Sequence, residues 1–172
     1  ATTYFVSPSG NDLSSGTALY PWKTLSYACS KTISGDIIYM RPGTYTDINV
    51  PRLPSGVSIE GEGQVILHQI SIVLEGLGGS QRISNIKFDG NDIEPFSSII
   101  IDGRHDVVIN NCTFTNFKAG NRYYATEQYE YAIELRNTYD IEIRNNTIEA
   151  GIRSFYNNNN LNIHHNVIGK PL

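Results

Sequence analysis

Along most of the chain, apolar residues recur at every second position in short runs broken by polar pairs. Four segments show this most clearly: Ile83-Ser84-Asn85-Ile86-Lys87-Phe88, Ile109-Asn110-Asn111-Cys112-Thr113-Phe114, Ile143-Arg144-Asn145-Asn146-Thr147-Ile148 and Ile163-His164-His165-Asn166-Val167-Ile168. A weaker copy opens at Ile59 with Glu60-Gly61-Glu62-Gly63, and successive copies start 24, 26, 34 and 20 residues apart. Each copy is an apolar residue, a two-residue corner rich in Asn, then renewed alternation. Period-two alternation predicts strand, and Asn tolerates the backbone angles of a tight corner.

A second set of alternating positions precedes the corners: Ile70, Ile72 and Leu74, then Ile99 and Ile101, Ile133 and Leu135, and Ile152 and Ser154. Each coil therefore holds three short strands separated by turns. No helical period lies between strands, which excludes a βαβ sheet, whose parallel strands need long crossovers. The remaining solution is a parallel β-helix, in which each coil bonds only to its neighbours and the stack buries one apolar column. The uneven spacing is absorbed by insertions in outward-pointing turns. The expected core is Ile59, Ile72, Ile83, Ile86, Phe88, Ile99, Ile101, Ile109, Cys112, Phe114, Ile133, Leu135, Ile141, Ile143, Ile148, Ile152, Ile163 and Ile168.

The N-terminal part reads differently. Thr3 to Ser7 is a strand entering the polar loop Pro8 to Gly16, and Trp22 to Lys31 fits a short amphipathic helix. Asp36 to Tyr45 is a strand and turn leading into the coils. A solenoid needs its terminal coil covered, and the helix is the candidate cap. The expectation is one domain over 1–172, with a cap at 1–45 and about five coils at 46–172. The stretch Ile168-Gly169-Lys170-Pro171-Leu172 offers no second cap, so further chain or a partner subunit is expected to cover that end, since an open strand edge invites aggregation.

Tyr4-Phe5-Val6-Ser7-Pro8-Ser9-Gly10-Asn11-Asp12, Gly16-Thr17, Pro21-Trp22-Lys23-Thr24-Leu25, Gly35-Asp36-Ile37-Ile38 and Arg41-Pro42-Gly43-Thr44-Tyr45 resemble the opening of pectin-lyase-like β-helix proteins. The resemblance covers essentially the whole chain. It implies an all-β, single-stranded right-handed parallel β-helix. It also implies a secreted protein acting on polysaccharides, since the superfamily includes polysaccharide lyases, glycoside hydrolases, epimerases and phage tailspike depolymerases. Fold alone does not fix which activity is present.

Composition narrows the partners. The chain has 172 residues, 40% hydrophobic and 17% charged, with a net charge of −4. That excludes disorder, and 13 basic against 17 acidic residues lacks the footprint of a nucleic-acid binder. The apolar runs are far shorter than the roughly 18 residues of a membrane span. No basic and apolar leader opens the chain, so a secretion signal is expected to have been removed. Cys29 and Cys112 read as two buried free thiols.

The candidate chemistry lies on the strands before the Asn corners. With their apolar residues turned inward, the alternate residues Ser71 and Val73, Ile100 and Asp102, Glu134 and Arg136, and Arg153 and Phe155 form one exposed lane. The longest insertion, Thr115 to Tyr131, enters beside it and carries Lys118, Arg122, Tyr123, Tyr124, Tyr129 and Tyr131. Tyr rings offer flat faces to sugar C–H groups, and Arg offers a fork that matches a uronate carboxylate. In the proteins that this chain resembles, the corresponding lane is the glycan groove. The substrate-binding set is then Tyr123, Tyr124, Tyr129, Tyr131, Glu134, Asp102 and Phe155. The alternative is that the tyrosines pack the insertion onto the wall and the charges form solvated pairs.

Lyase chemistry on a uronate polymer needs a base beside the carboxylate and a cation for the developing enolate. Lys118, Arg122, Arg136 and Arg153 are the candidate catalytic residues. Ca²⁺ held by Asp89, Asp92 and Asp102 could supply a cation, although Asp89-Gly90-Asn91-Asp92 reads more readily as turn chemistry. The chain lacks the adjacent-Asp, Gly-His-Gly and Arg-x-Lys set of polygalacturonate hydrolases of this fold, and the Arg-x-Pro-x-x-Arg run of the main pectate lyases. Two classes of function stand: a secreted enzyme on an acidic polysaccharide, most simply a lyase, or a non-catalytic glycan-binding module of a larger surface or phage tail protein.

Overall fold

The computed structural model describes residues 1–93, 96–117 and 131–169. Strand β1 (Thr3–Val6) and helix α1 (Leu25–Lys31) precede β2 (Ile37–Met40) and β3 (Gly43–Tyr45). Four coils follow, each of three strands. They are β4 (Ser58–Gly61), β5 (Val65–His68) and β6 (Ile72–Glu75); β7 (Gly79–Ser84), β8 (Lys87–Asp89) and β9 (Ile99–Asp102); β10 (His105–Asn110), β11 (Thr113–Thr115) and β12 (Tyr131–Arg136); and β13 (Tyr139–Arg144), β14 (Thr147–Ile148) and β15 (Gly151–Phe155). The last strands are β16 (Asn159–His164) and β17 (Val167–Ile168).

These strands build three parallel sheets. Sheet one runs β1-β2-β4-β7-β10-β13-β16, sheet two β3-β5-β8-β11-β14-β17 and sheet three β6-β9-β12-β15. The chain steps from sheet one to two to three and back, a right-handed parallel β-helix, the hand that parallel crossovers take. Sheet one already begins at residue 3, so the expected cap itself supplies strands to the solenoid.

Register follows the apolar pattern. Ile38, Ile59, Ile83, Ile109, Ile143 and Ile163 stack in one column. Tyr45, Leu67, Phe88, Phe114, Ile148 and Ile168 form another, with Phe88 and Phe114 stacked at 4.8 Å. The corners between sheets one and two turn on Asn85, Asn111, Asn145 and His165, all at φ between 53 and 58°. A second left-handed column, Ser80, Asp106, Asp140 and Asn160, sits near the start of the sheet-one strands.

Just past the corner, one inward column reads Ile86, Cys112, Asn146 and Asn166. Asn146 accepts from the Cys112 N–H (2.8 Å) and donates to the Ile109 carbonyl (3.0 Å). Asn166 repeats both bonds one coil on, to the Asn146 N–H and the Ile143 carbonyl. The Cys112 thiol points at the Ile83 carbonyl in the equivalent place. The buried backbone groups of each corner are thereby paired. Both cysteines are free and buried, and burial pushes the Cys112 thiol up to about 12.

Most of the expected core is buried, from Ile59 to Ile148. Three positions differ. Ile152 is half-buried, while Ile163 is 41% and Ile168 50% exposed, because each lies on the last described strand of its sheet and is covered from one side. At the opposite end, α1 buries Leu25, Ala28 and Cys29. Its start is set by Thr24, whose Oγ1 accepts the Tyr27 N–H, so the helix begins at Leu25, three residues after Trp22, rather than at Trp22 itself. Trp22 covers the first coil and stacks on Tyr4 at 4.8 Å.

Candidate functional site

The outward positions of sheet three form two columns. Val73, Ile100, Glu134 and Arg153 make one, and Glu75, Asp102, Arg136 and Phe155 the other. Ser71, expected beside Val73 in this lane, lies outside it. Pairing starts at Ile72 with Ile99, and the Ser71 hydroxyl is engaged by the Ser97 carbonyl. Glu75 takes the place left, a residue readable from the Ile72-Val73-Leu74-Glu75 alternation once Ile72 is set against Ile99. Arg52 bridges to Val73 and extends the lane one rung further, with its Nη1 2.9 Å from Glu75 Oε2. Nothing in the sequence pattern marks Arg52.

At the other end of the lane, aromatic rings and guanidinium groups interleave. The Arg136 guanidinium lies 4.4 Å and that of Arg153 4.5 Å from the Phe155 ring centre, so two cations share one ring. Arg153 also lies 5.4 Å from the Tyr131 ring. Arg136 Nη2 donates to Glu134 Oε2 at 3.1 Å, and the Glu134 side chain is only 15% exposed. Arg136 is thus fixed by a carboxylate on one side and a ring on the other. Arg153 is exposed and has no carboxylate partner among the described residues, so its N–H fork faces solvent. Stacking on two rings orients a guanidinium without consuming its donors.

The structure brings together Tyr131, Glu134, Arg136, Arg153 and Phe155 from the expected set, with Asp102 on the neighbouring rung. Lys118, Arg122, Tyr123, Tyr124 and Tyr129 lie outside the described residues, in 118–130. The three aspartates expected to hold Ca²⁺ are not gathered. Asp89 ends a strand of sheet two and Asp102 a strand of sheet three, so they face different walls of the coil. Asp92 sits in the turn between them at φ 51°. Asp89 is engaged by protein donors instead: the Asn116 amide and Asn91 N–H at 2.9 Å each, and His68 Nδ1 at 3.1 Å. Among the described residues no group of three or more His, Cys, Asp or Glu side chains stands ready to hold a metal ion.

No curated protein matches the chain. Among solved structures, a rhamnogalacturonan lyase superposes with a TM-score of 0.47 at 14% sequence identity, over 99% of this chain and 63% of that one. The chain therefore spans less than two thirds of that protein's length. A family model described as "Protein of unknown function (DUF1565)" matches residues 8–170, nearly the whole chain, and the protein belongs to that family.

Proposed function

We propose that the outer face of sheet three binds an acidic polysaccharide, and that the protein works outside the cell, where such polymers lie. The observation that carries this reading is Arg153: a cation with no carboxylate partner among the described residues, held against Phe155 and Tyr131. A uronate offers a planar carboxylate to such a fork and ring C–H groups to the aromatic faces. Arg136 and Glu134 then fix the neighbouring rung, and Asp102 and Glu75 supply acceptors for sugar hydroxyls.

The enzymatic form of the reading is β-elimination. A base removes the proton beside the carboxylate, the electron pair forms the double bond, and the glycosidic oxygen leaves with a proton from an acid. Arg153 suits the cation that stabilises the enolate. Arg136 is bound to Glu134 and suits positioning. The base would come from Tyr131 or from Lys118, Arg122, Tyr123, Tyr124 or Tyr129, and a Ca²⁺ ion brought in with the polymer could replace part of the cationic charge.

The test is binding to pectate and alginate, with and without Ca²⁺, beside an ultraviolet assay for the unsaturated product of elimination. Arg153→Ala should weaken binding about tenfold or more, the scale of one charge-assisted hydrogen bond. Equal binding by the variant and the parent overturns the lane as the site. Binding without unsaturated product retains the lane and removes the lyase.

A further inference from the structure

The N-terminal cap does more than cover the first coil. Between α1 and the segment 47–52 lies an open cleft of about 400 Å³, a volume in the range of small-ligand sites. Thr24, Ser26 and Tyr27 line one side, and Asn49, Val50 and Arg52 the other. We infer that this cleft is a further subsite of the sheet-three lane and takes a sugar residue of the same polysaccharide. The inference rests on the reading of sheet three given above.

Three observations carry it. The first is continuity. Arg52 is at once a wall of the cleft and the first rung of the lane, through its bridge to Val73 and its ion pair with Glu75. A chain laid along sheet three toward the cap meets this cleft next.

The second is the state of the polar groups. The two carboxylates nearby are used internally. Asp12 accepts from the Lys23 and Thr24 N–H groups and the Thr24 hydroxyl, and Asp47 from Ser26 and the Asn49 N–H. Their oxygens are thereby committed to the protein's own donors rather than to a ligand. The Asn49 side-chain amide and the Tyr27 hydroxyl make no hydrogen bond among the described residues, and Asn49 is exposed. An amide, a phenol and a guanidinium around a polar cleft match the donors and acceptors of a sugar ring.

The third is rigidity. The Tyr27 ring is fixed by the edge of Trp22 at 5.5 Å and by Lys31 at 5.3 Å, so it presents its hydroxyl in a set place. Preorganised groups lose little entropy on binding.

The geometry sets a length. Arg52 and Arg153 are four strand steps apart, about 19 Å at about 4.8 Å per step. A ligand must be an oligomer to feel both, and a short one should feel only the Arg136–Arg153 end.

The experiment is a size ladder of galacturonate and mannuronate oligomers, from dimers to decamers, titrated against the parent, Asn49→Ala, Val50→Trp and Arg153→Ala. Asn49 and Val50 are exposed, so these changes leave the fold intact, checked by an unaltered thermal melt. Long oligomers should bind Asn49→Ala and Val50→Trp roughly three- to tenfold more weakly, while dimers and trimers bind as to the parent. If Arg153→Ala weakens binding and both cleft variants match the parent at every length, the cleft is no subsite and the lane stands alone. If no variant changes binding, or nothing binds, the reading of sheet three falls and this inference falls with it.

Discussion

In the coils built on β7, β10 and β13, the interior columns of sheets one and two are closed on both sides; in the outermost described coil, built on β16, they are closed on one. Ile109 and Ile143 are fully buried, and Ile163, the next residue of their column, is 41% exposed. Phe114 and Ile148 are fully buried, and Ile168 beyond them is 50% exposed. The residue types scarcely change, so the difference comes from the neighbour and not from the side chain. In a solenoid, stability is a sum of coil terms and nearest-neighbour interfaces. The first coils obtain their missing neighbour from β1, α1 and Trp22. The same substitution should therefore cost very different amounts along one column.

The largest effect is expected at the centre. Phe114 is fully buried and stacked on Phe88. Phe114→Ala should cost about 3–5 kcal/mol, the transfer and cavity terms together, measured by urea unfolding. A loss below about 1 kcal/mol would show that the columns do not carry the stability and would break the comparison.

The side-chain ladder comes second. Asn146 is 2% exposed and holds the Cys112 N–H and the Ile109 carbonyl. Asn146→Ala leaves both groups buried and unpaired, at about 1–3 kcal/mol each before relaxation. Asn166 makes the same bonds one coil further out, where it is half-buried. Asn166→Ala should cost clearly less, because water can reach the released groups. Equal losses would mean that the ladder bonds, and not burial, set the energy.

How far these columns could be read in advance depends on where they lie. The Ile83, Ile109 and Ile143 copies show strand, corner and inward face together, since one period serves all three. The exposure of Ile163 and Ile168 was not legible, because alternation reports which face a residue takes and never whether another coil stacks above it. The lane of sheet three was legible from Glu134 to Phe155. One rung was misplaced at Ser71, where no corner pins the register. Asp89 and Asp102 were expected as joint ligands on neighbouring coils, yet one ends a strand of sheet two and the other a strand of sheet three. The cap cleft left no signal, since Thr24 comes from one segment and Asn49 and Arg52 from another, neither of them periodic.

A third effect separates the outer walls of the coils from their cores. Burial works against the Asp89 charge, but hydrogen bonds from Asn116, the Asn91 N–H and His68 outweigh it, and its pKa falls below the ordinary carboxylate range. A depressed folded-state pKa adds stability above the unfolded value and loses it as pH falls through the folded one. The parent should therefore lose more stability than Asp89→Asn between neutral and strongly acid pH, as read from urea midpoints at each pH. Parallel curves for the two proteins would show that this wall ladder contributes nothing through its charge.

The smallest effect is expected at Ile168. It lies in the column of Phe114 and bonds in register with Ile148, but half its surface is open. Ile168→Ala removes methyl groups that are already partly in water, so it leaves no closed cavity and should cost less than about 1 kcal/mol. Native-state hydrogen exchange sharpens the point. The β16 and β17 amides should exchange through a local opening well below the free energy of the β10 and β13 amides. Ile168→Ala should lower protection in β16 and β17 alone, while Phe114→Ala lowers it in every coil. If Ile168→Ala cost as much as Phe114→Ala, the last coil would be closed in solution by a neighbour, and the column would be buried along its whole length.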